Sequence, residues 1–182
     1  MSTLNVTNIT AADGTSGLSI ANSTGIISPA KSLVNPALFQ VQALNTDQSY
    51  TATALAKVQF NSVDLDTGSY WDSSNNYYRP QIAGWYMFGG SLRVQFSGLV
   101  SLIGIRIIKN ASYTPEGEQL LSQFQSTSDI FGNGEYPLPT GMLQLNGSSD
   151  YVEVQFQSEE NCTMNDATTR PSHFWGMLVH PT

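Results

Sequence analysis

The chain has 182 residues, 40% of them hydrophobic, with 7 Lys and Arg against 14 Asp and Glu, for a formal net charge of −7. That length suits one sandwich-sized domain with an appendage, and the acidic balance excludes a nucleic-acid surface, which needs clustered cations. Charged residues make up only 12%, so Ser, Thr, Asn, Gln and Gly must carry the polar surface, a composition that fits an extended β-rich assembly better than a helical enzyme. The single cysteine, Cys162, excludes an intrachain disulfide. The opening MSTLNVTNIT has neither the basic start nor the apolar run of a signal peptide. The most hydrophobic segment, 99–108, is too short to span a bilayer and contains Arg106. No membrane insertion is expected, and synthesis is expected in a cytoplasm.

Residues 1–30 contain no aromatic side chain and a single charge, Asp13. Short apolar alternations at Leu4 and Val6 and at Leu18 and Ile20 flank the turn-rich ADGTSG. Such a segment cannot enclose a core, so it is either disordered or folds on copies of itself or on a partner, and its regular apolar spacing, with Ile9 between the alternations, favours an assembly arm. Residues 31–37, with Pro36, read as the end of a linker, and 38–182 as a separate head.

In the head, 38–41 starts a strand. Lys57 to Leu65 alternates, Val58 and Phe60 facing one way, and 66–76 reads as a loop rich in Asp, Ser, Gly and Asn. The stretch NYYRPQIAGWYMFGGSLRV over 76–94 is apolar on both strand faces: Gly84, Tyr86 and Phe88 on one, Trp85 and Met87 on the other, with Gly89 and Gly90 closing the run. One face suits the chain's own core; the other suits a second copy of the chain or covering loops. Residues 99–109 form the longest strand candidate, with Leu99, Ile103, Ile105 and Ile107 sharing a face. A turn follows over 110–117. The segment 118–130 is weakly patterned, 131–140 is a long loop, 142–145 a strand, and Asn146-Gly147 a turn. Tyr151 to Gln157 alternates cleanly, 158–171 is a polar loop, and 174–179 is a final strand. About eight short strands and no amphipathic helix predict an all-β antiparallel sandwich.

Four motifs in order give this pattern a likeness. ALFQV at 37–41, PQIAGWYMF at 80–88, GMLQLNGSSDYVEV at 141–154 and SHFWGMLV at 172–179 together resemble the tumour necrosis factor-like jelly roll, in particular its complement-type globular-head branch. The arm is similar to short leaders on tail-fibre and related appendage proteins of bacterial viruses, notably those infecting cyanobacteria. The resemblance implies a homotrimer, with Tyr86, Phe88, Tyr136, Leu138, Phe174 or Trp175 at the subunit interface. It further implies a virion location, on tail, baseplate or capsid, with Leu4, Val6, Ile9, Leu18 and Ile20 docking the arm on other virion proteins. Capsid decoration is the close alternative, and a soluble cytokine-like ligand one of another class.

For contact with a host-surface glycan or protein, the aromatic loop residues Tyr70, Trp71, Tyr77 and Tyr78 are the candidates, since aromatic rings stack on sugars and give rigid contact area. Catalytic patterns are missing. His173 and His180 are seven apart, which alternation places on opposite faces. Glu159-Glu160 supply no carboxylate pair across a cleft. Phosphate-loop, nucleophile-elbow and zinc motifs do not occur, so neither an enzyme nor a cofactor is expected. Asp64, Asp66 and Asp72 are weak calcium candidates, with a solvated turn the plainer reading.

Overall fold

The computed structural model describes residues 8–10, 16–20, 27–29, 37–44, 47–111, 120–164 and 171–182. The chain divides into two compact units, Met1–Pro36 and Ala37–Thr182. In the first, β1 (Asn8–Thr10), β2 (Ser16–Ile20) and β3 (Ile27–Pro29) form an antiparallel sheet in that order, with Ile9 opposite Leu18 and Ile20 opposite Ile27. Leu4 and Val6 lie outside the described residues.

The second unit holds one continuous twelve-stranded sheet folded over on itself. Its strands are β4 (Leu38–Gln42), β5 (Gln48–Tyr50), β6 (Ala56–Lys57), β7 (Ser62–Asp66), β8 (Trp71–Asp72), β9 (Tyr77–Tyr78), β10 (Ala83–Lys109), β11 (Leu120–Pro137), β12 (Gly141–Asn146), β13 (Val152–Ser158), β14 (Cys162–Met164) and β15 (His173–Pro181). Strand β10 organises the rest. Along one edge it pairs antiparallel with β12 and then β11, from Ala83 opposite Asn146 to Ile108 opposite Leu120. Along the other it pairs in turn with β15, β14 and β13, from Gly84 opposite Pro181 to Lys109 opposite Val152. Its first part therefore belongs to a layer ordered β7-β4-β15-β10-β12. Its second part belongs to a layer with β11 on one side and β13, β9 and β8 on the other.

The layers meet in a single core. Phe39, Tyr86, Phe88 and Phe174 come from the first, and Ile105, Ile107, Val154 and Phe156 from the second. Gly176 is what lets the first layer close. A methyl group there would lie 2.5 Å from Phe88 Cδ1 and 2.6 Å from Phe39 Cε1, so only hydrogen fits between the two rings.

Several sequence expectations change. The 89–90 glycines do not end a strand, because β10 runs through them. Leu99 does not join the inward isoleucines. It is 60% exposed, since register shifts on either side of Val100 change the alternation, and the inward set passes from Val100 to Ile103. Most of the segment expected as a loop over 131–140 is the end of β11, and the 158–171 loop contains β14. The 57–65 alternation is two strands, β6 and β7, separated by an irregular stretch in which Val58 and Phe60 are nonetheless fully buried. The 66–76 loop contains β8, which makes a small hairpin with β9: Trp71 stands opposite Tyr78 and Asp72 opposite Tyr77.

Candidate functional site

Two surfaces of the Ala37–Thr182 unit carry the candidate residues. The first is the hairpin β8–β9. Its turn is fixed by Asp72, whose Oδ1 accepts the N–H groups of Ser74 (3.0 Å) and Asn75 (2.9 Å) and whose Oδ2 accepts the Asn75 side-chain amide (2.9 Å). The Asn75 amide bond, then the other donors, hold this carboxyl below its usual value. The four aromatic candidates divide here. Tyr78 is fully buried, stacked at 4.0 Å between ring centroids on Phe39. Burial, reinforced by Tyr86, Asp66 and Tyr70, pushes its phenol far up. Trp71 is half-buried and packs against Phe39, Phe60 and Phe174 at 5.9, 6.1 and 6.3 Å. These two rings serve the core, which limits what they can offer a partner.

Tyr70, Trp71 and Tyr77, all half-buried, line an open recess of about 350 Å³ with Ser69, Asp72, Ser73, Arg79 and Gln81. The Tyr70 ring lies over Gly68, where a Cβ would be 2.2 Å from Cε2. Tyr77 packs on Tyr151 at 4.6 Å and faces the guanidinium of Arg79 at 5.3 Å and Lys57 Nζ at 5.8 Å. Lys57 is itself bound to the buried Glu153, Nζ to Oε2 at 2.5 Å, while Glu153 Oε1 accepts the Gln155 amide at 2.8 Å.

The second surface is the outer side of the β7-β4-β15-β10-β12 layer. Met142, Met87, Met177 and Leu38 stand opposite one another across four adjacent strands. Trp85 is 41% exposed, Met142 54% and Val179 52%, and Trp175 lies half-buried on the same face, opposite Gln40. Apolar side chains left open in a line across a sheet form a patch of the kind found at interaction surfaces. Sequence reasoning named only Trp175 of these as an interface residue. The other interface candidates, Tyr86, Phe88, Tyr136, Leu138 and Phe174, are 0–3% exposed within one chain. Enclosed by their own core, they have no surface left to give another subunit. Trp85 and Met87 are one of the two apolar faces read from the sequence, and they are the face that stays outward while Tyr86 is buried.

The calcium candidates do not converge. Asp64 accepts the side-chain amides of Gln40 (3.1 Å) and Gln42, Asp66 Oδ2 accepts the Trp71 N–H (2.8 Å), and Asp72 caps its own turn. Among the described residues no group of three or more His, Cys, Asp or Glu is placed to hold a metal ion. His173 and His180 fall on the same face, because a register shift between Trp85 and Tyr86 sets His180 opposite Trp85 while His173 is opposite Ser91. The six-residue offset along β10 separates them by about 20 Å, too far for a shared ion. The Ser91 hydroxyl lies 3.2 Å from both His173 Nδ1 and Glu135 Oε1. Histidine and carboxylate thus meet the same hydroxyl, and this carboxylate does not orient the imidazole as a relay would. Cys162 is buried, and that burial raises its thiol pKa, the opposite of what a reactive thiolate needs. Among the described residues no helix is long and apolar enough to cross a membrane.

Solved structures share this fold. The Eiger TNF from S. frugiperda superposes with a TM-score of 0.57 at 12% identity, over 79% of this chain and 92% of that one. Murine APRIL at pH 5.0 gives 0.55 at 10% identity, over 79% and 98%. The globular domain of the zebrafish complement 1qA protein gives 0.47 at 17% identity, over 81% and 99%. No protein-family model and no curated protein matches the sequence. At these identities the likeness concerns architecture: an antiparallel, barrel-like all-β jelly roll of the tumour necrosis factor type.

Proposed function

We propose that this chain is a non-catalytic, homotrimeric appendage of a bacterial-virus particle, whose arm docks on other virion proteins and whose head contacts the host surface. The observation that carries the self-association is the open apolar face of Trp85, Met87, Met142, Met177 and Trp175. Oligomers that form such contacts obligately bury on the order of 2,000 Å² or more, and a line of methionines adapts its shape to a facing copy. The trimer number comes from the resemblance to the tumour necrosis factor-like group. The virion assignment rests on the sequence of the arm, since the solved structures above share only the fold. Host contact falls to the recess beside the β8–β9 hairpin, lined by the half-buried Tyr70, Trp71 and Tyr77, rather than to the fully buried Tyr78.

Light scattering on the purified protein tests the first part. A mass of three chains is expected, and Trp85→Lys with Met142→Lys is expected to reduce it to one chain while leaving the β-sheet circular dichroism intact. A wild-type monomer at micromolar concentration would remove the trimer. Finding the chain on purified virus particles in multiples of three copies tests the second part, and its absence from particles would remove the virion role.

A further inference from the structure

We infer that the recess beside the β8–β9 hairpin is a binding site for a neutral sugar, one hexose unit of a longer glycan. The inference rests on the host-contact reading above and names its chemistry.

The wall is almost wholly hydrogen-bonding. Arg79 offers a planar fork of donors, and its guanidinium is held by the Tyr77 ring at 5.3 Å. Among the described residues no carboxylate is ion-paired with it. Gln81 supplies an amide that both donates and accepts, and Ser73 a hydroxyl that does the same. Asp72 supplies carboxylate oxygens already fixed by three donors from its own turn, so its position is set before any ligand arrives. Tyr70 is likewise fixed, its ring lying over Gly68 and edge-on to Tyr78 at 6.1 Å.

Three ligand classes can be weighed against this wall. An apolar ligand finds too little apolar surface. An anion meets Arg79 but also the Asp72 carboxylate, so the recess carries one fixed positive and one fixed negative charge and no net attraction. A hexose matches both: its neighbouring hydroxyls donate to Asp72 and accept from Arg79 and Gln81. A volume of about 350 Å³ is at the small end for ligand sites, and it suits one or two sugar rings rather than a folded partner. The recess lies on a loop carried by rigid strands, the usual place for recognition.

The test is a nuclear magnetic resonance titration of the full chain with the methyl glycosides of glucose, galactose and mannose, and with glucuronate and inorganic phosphate as anionic probes. Saturable shifts confined to 69–81, with at least one methyl glycoside, are expected. Arg79→Ala, Arg79→Lys and Gln81→Ala are each expected to weaken that binding by about tenfold or more; Lys restores the charge but not the fork. Preference for glucuronate or phosphate overturns the proposal, as does binding that the three variants leave unchanged, or no binding by any glycoside. The trimer mass and particle adsorption of the same variants keep the two readings apart. Adsorption lost in Arg79→Ala without glycoside binding retains host contact and overturns the sugar. Glycoside binding lost in Arg79→Ala, with adsorption intact, retains the sugar and removes the recess from host attachment.

Discussion

At the scale of single residues, aromatic side chains of similar sequence context do different work, and the rings each one packs on separate them. Trp71 and Tyr78 look like exposed loop aromatics in the string SYWDSSNNYY, yet both pack on Phe39. Trp71→Ala is therefore expected to destabilise the head by about 3–5 kcal/mol, read from denaturant midpoints, whereas Tyr77→Ala at the rim should change stability far less. The ion pair of Lys57 and Glu153 offers a sharper contrast. Glu153 has only 2% of its side chain exposed and Lys57 37%, so the desolvated partner is the carboxylate. Lys57→Met leaves that charge without its cation and is expected to lose about 3 kcal/mol. Adding Glu153→Gln should recover much of the loss, and a double variant no more stable than Lys57→Met would show that the pair is not what holds this site. Neither the burial of Trp71 nor that of Glu153 was legible in the sequence, because each depends on elements far away in the chain closing over a loop or an outward strand face.

At the scale of elements, alternation read the inward faces well where a strand is regular and failed where it bends. Tyr86 and Phe88, Val152, Val154 and Phe156, and Ile103, Ile105 and Ile107 are all inward, as period two requires. Leu99 was misplaced because the shifts around Val100 insert an offset that no residue type announces. The 131–140 and 158–171 stretches hid strands because their Gly, Pro, Asn and Ser content reads as loop, while pairing to β10 supplies the missing stability. One local device was half visible: the Asn146-Gly147 turn. Gly147 sits at φ +69°, where a Cβ would meet Ala83 N at 2.3 Å. Beyond it, Asp150 accepts from Lys109 Nζ (2.8 Å), Asn110 Nδ2 (2.9 Å) and the Asn146 N–H (2.9 Å), tying this turn to the end of β10. Burial raises the Asp150 carboxyl, but the hydrogen bonds from Asn110, Lys109 and Asn146, with the Lys109 charge, outweigh it, so its folded pKa lies below the usual value. The unfolded carboxyl titrates near about 3.9. A depressed folded pKa makes the contribution complete above that value and removes it as pH falls through the folded one. Asp150→Asn is therefore expected to be less stable than wild type at neutral pH, with the gap closing in acid. A gap independent of pH would assign it to packing instead.

At the scale of the whole molecule, the fold class was legible because turn signals and two-residue periodicity are local properties, and the four motifs came in jelly-roll order. Which apolar face of β10 stays outward was not, because sequence alternation divides Trp85 and Met87 from Tyr86 and Phe88 without saying which set faces inward. The units Met1–Pro36 and Ala37–Thr182 are separately compact, and the open apolar face belongs to the second. If the chain forms the proposed trimer through this face, deleting residues 1–36 is expected to leave a mass of three chains; a monomer would move self-association to the arm.

The place of β15 in the strand order has a consequence for how the molecule is made. It lies between β4 and β10, yet it follows both in the chain, so the two strands that flank it emerge from the ribosome with the seat between them empty. Phe39 and Phe88 stay open to water until Phe174 and Gly176 arrive to sit against them. Ordering of the first layer must wait until β15 has been made, and such distant pairings are slow, on the order of milliseconds to seconds. During that interval β4 and β10 present bare edges that fit a β15 from any neighbouring nascent copy as well as their own. Chains translated close together on one message would therefore be exposed to strand exchange before they are exposed to assembly.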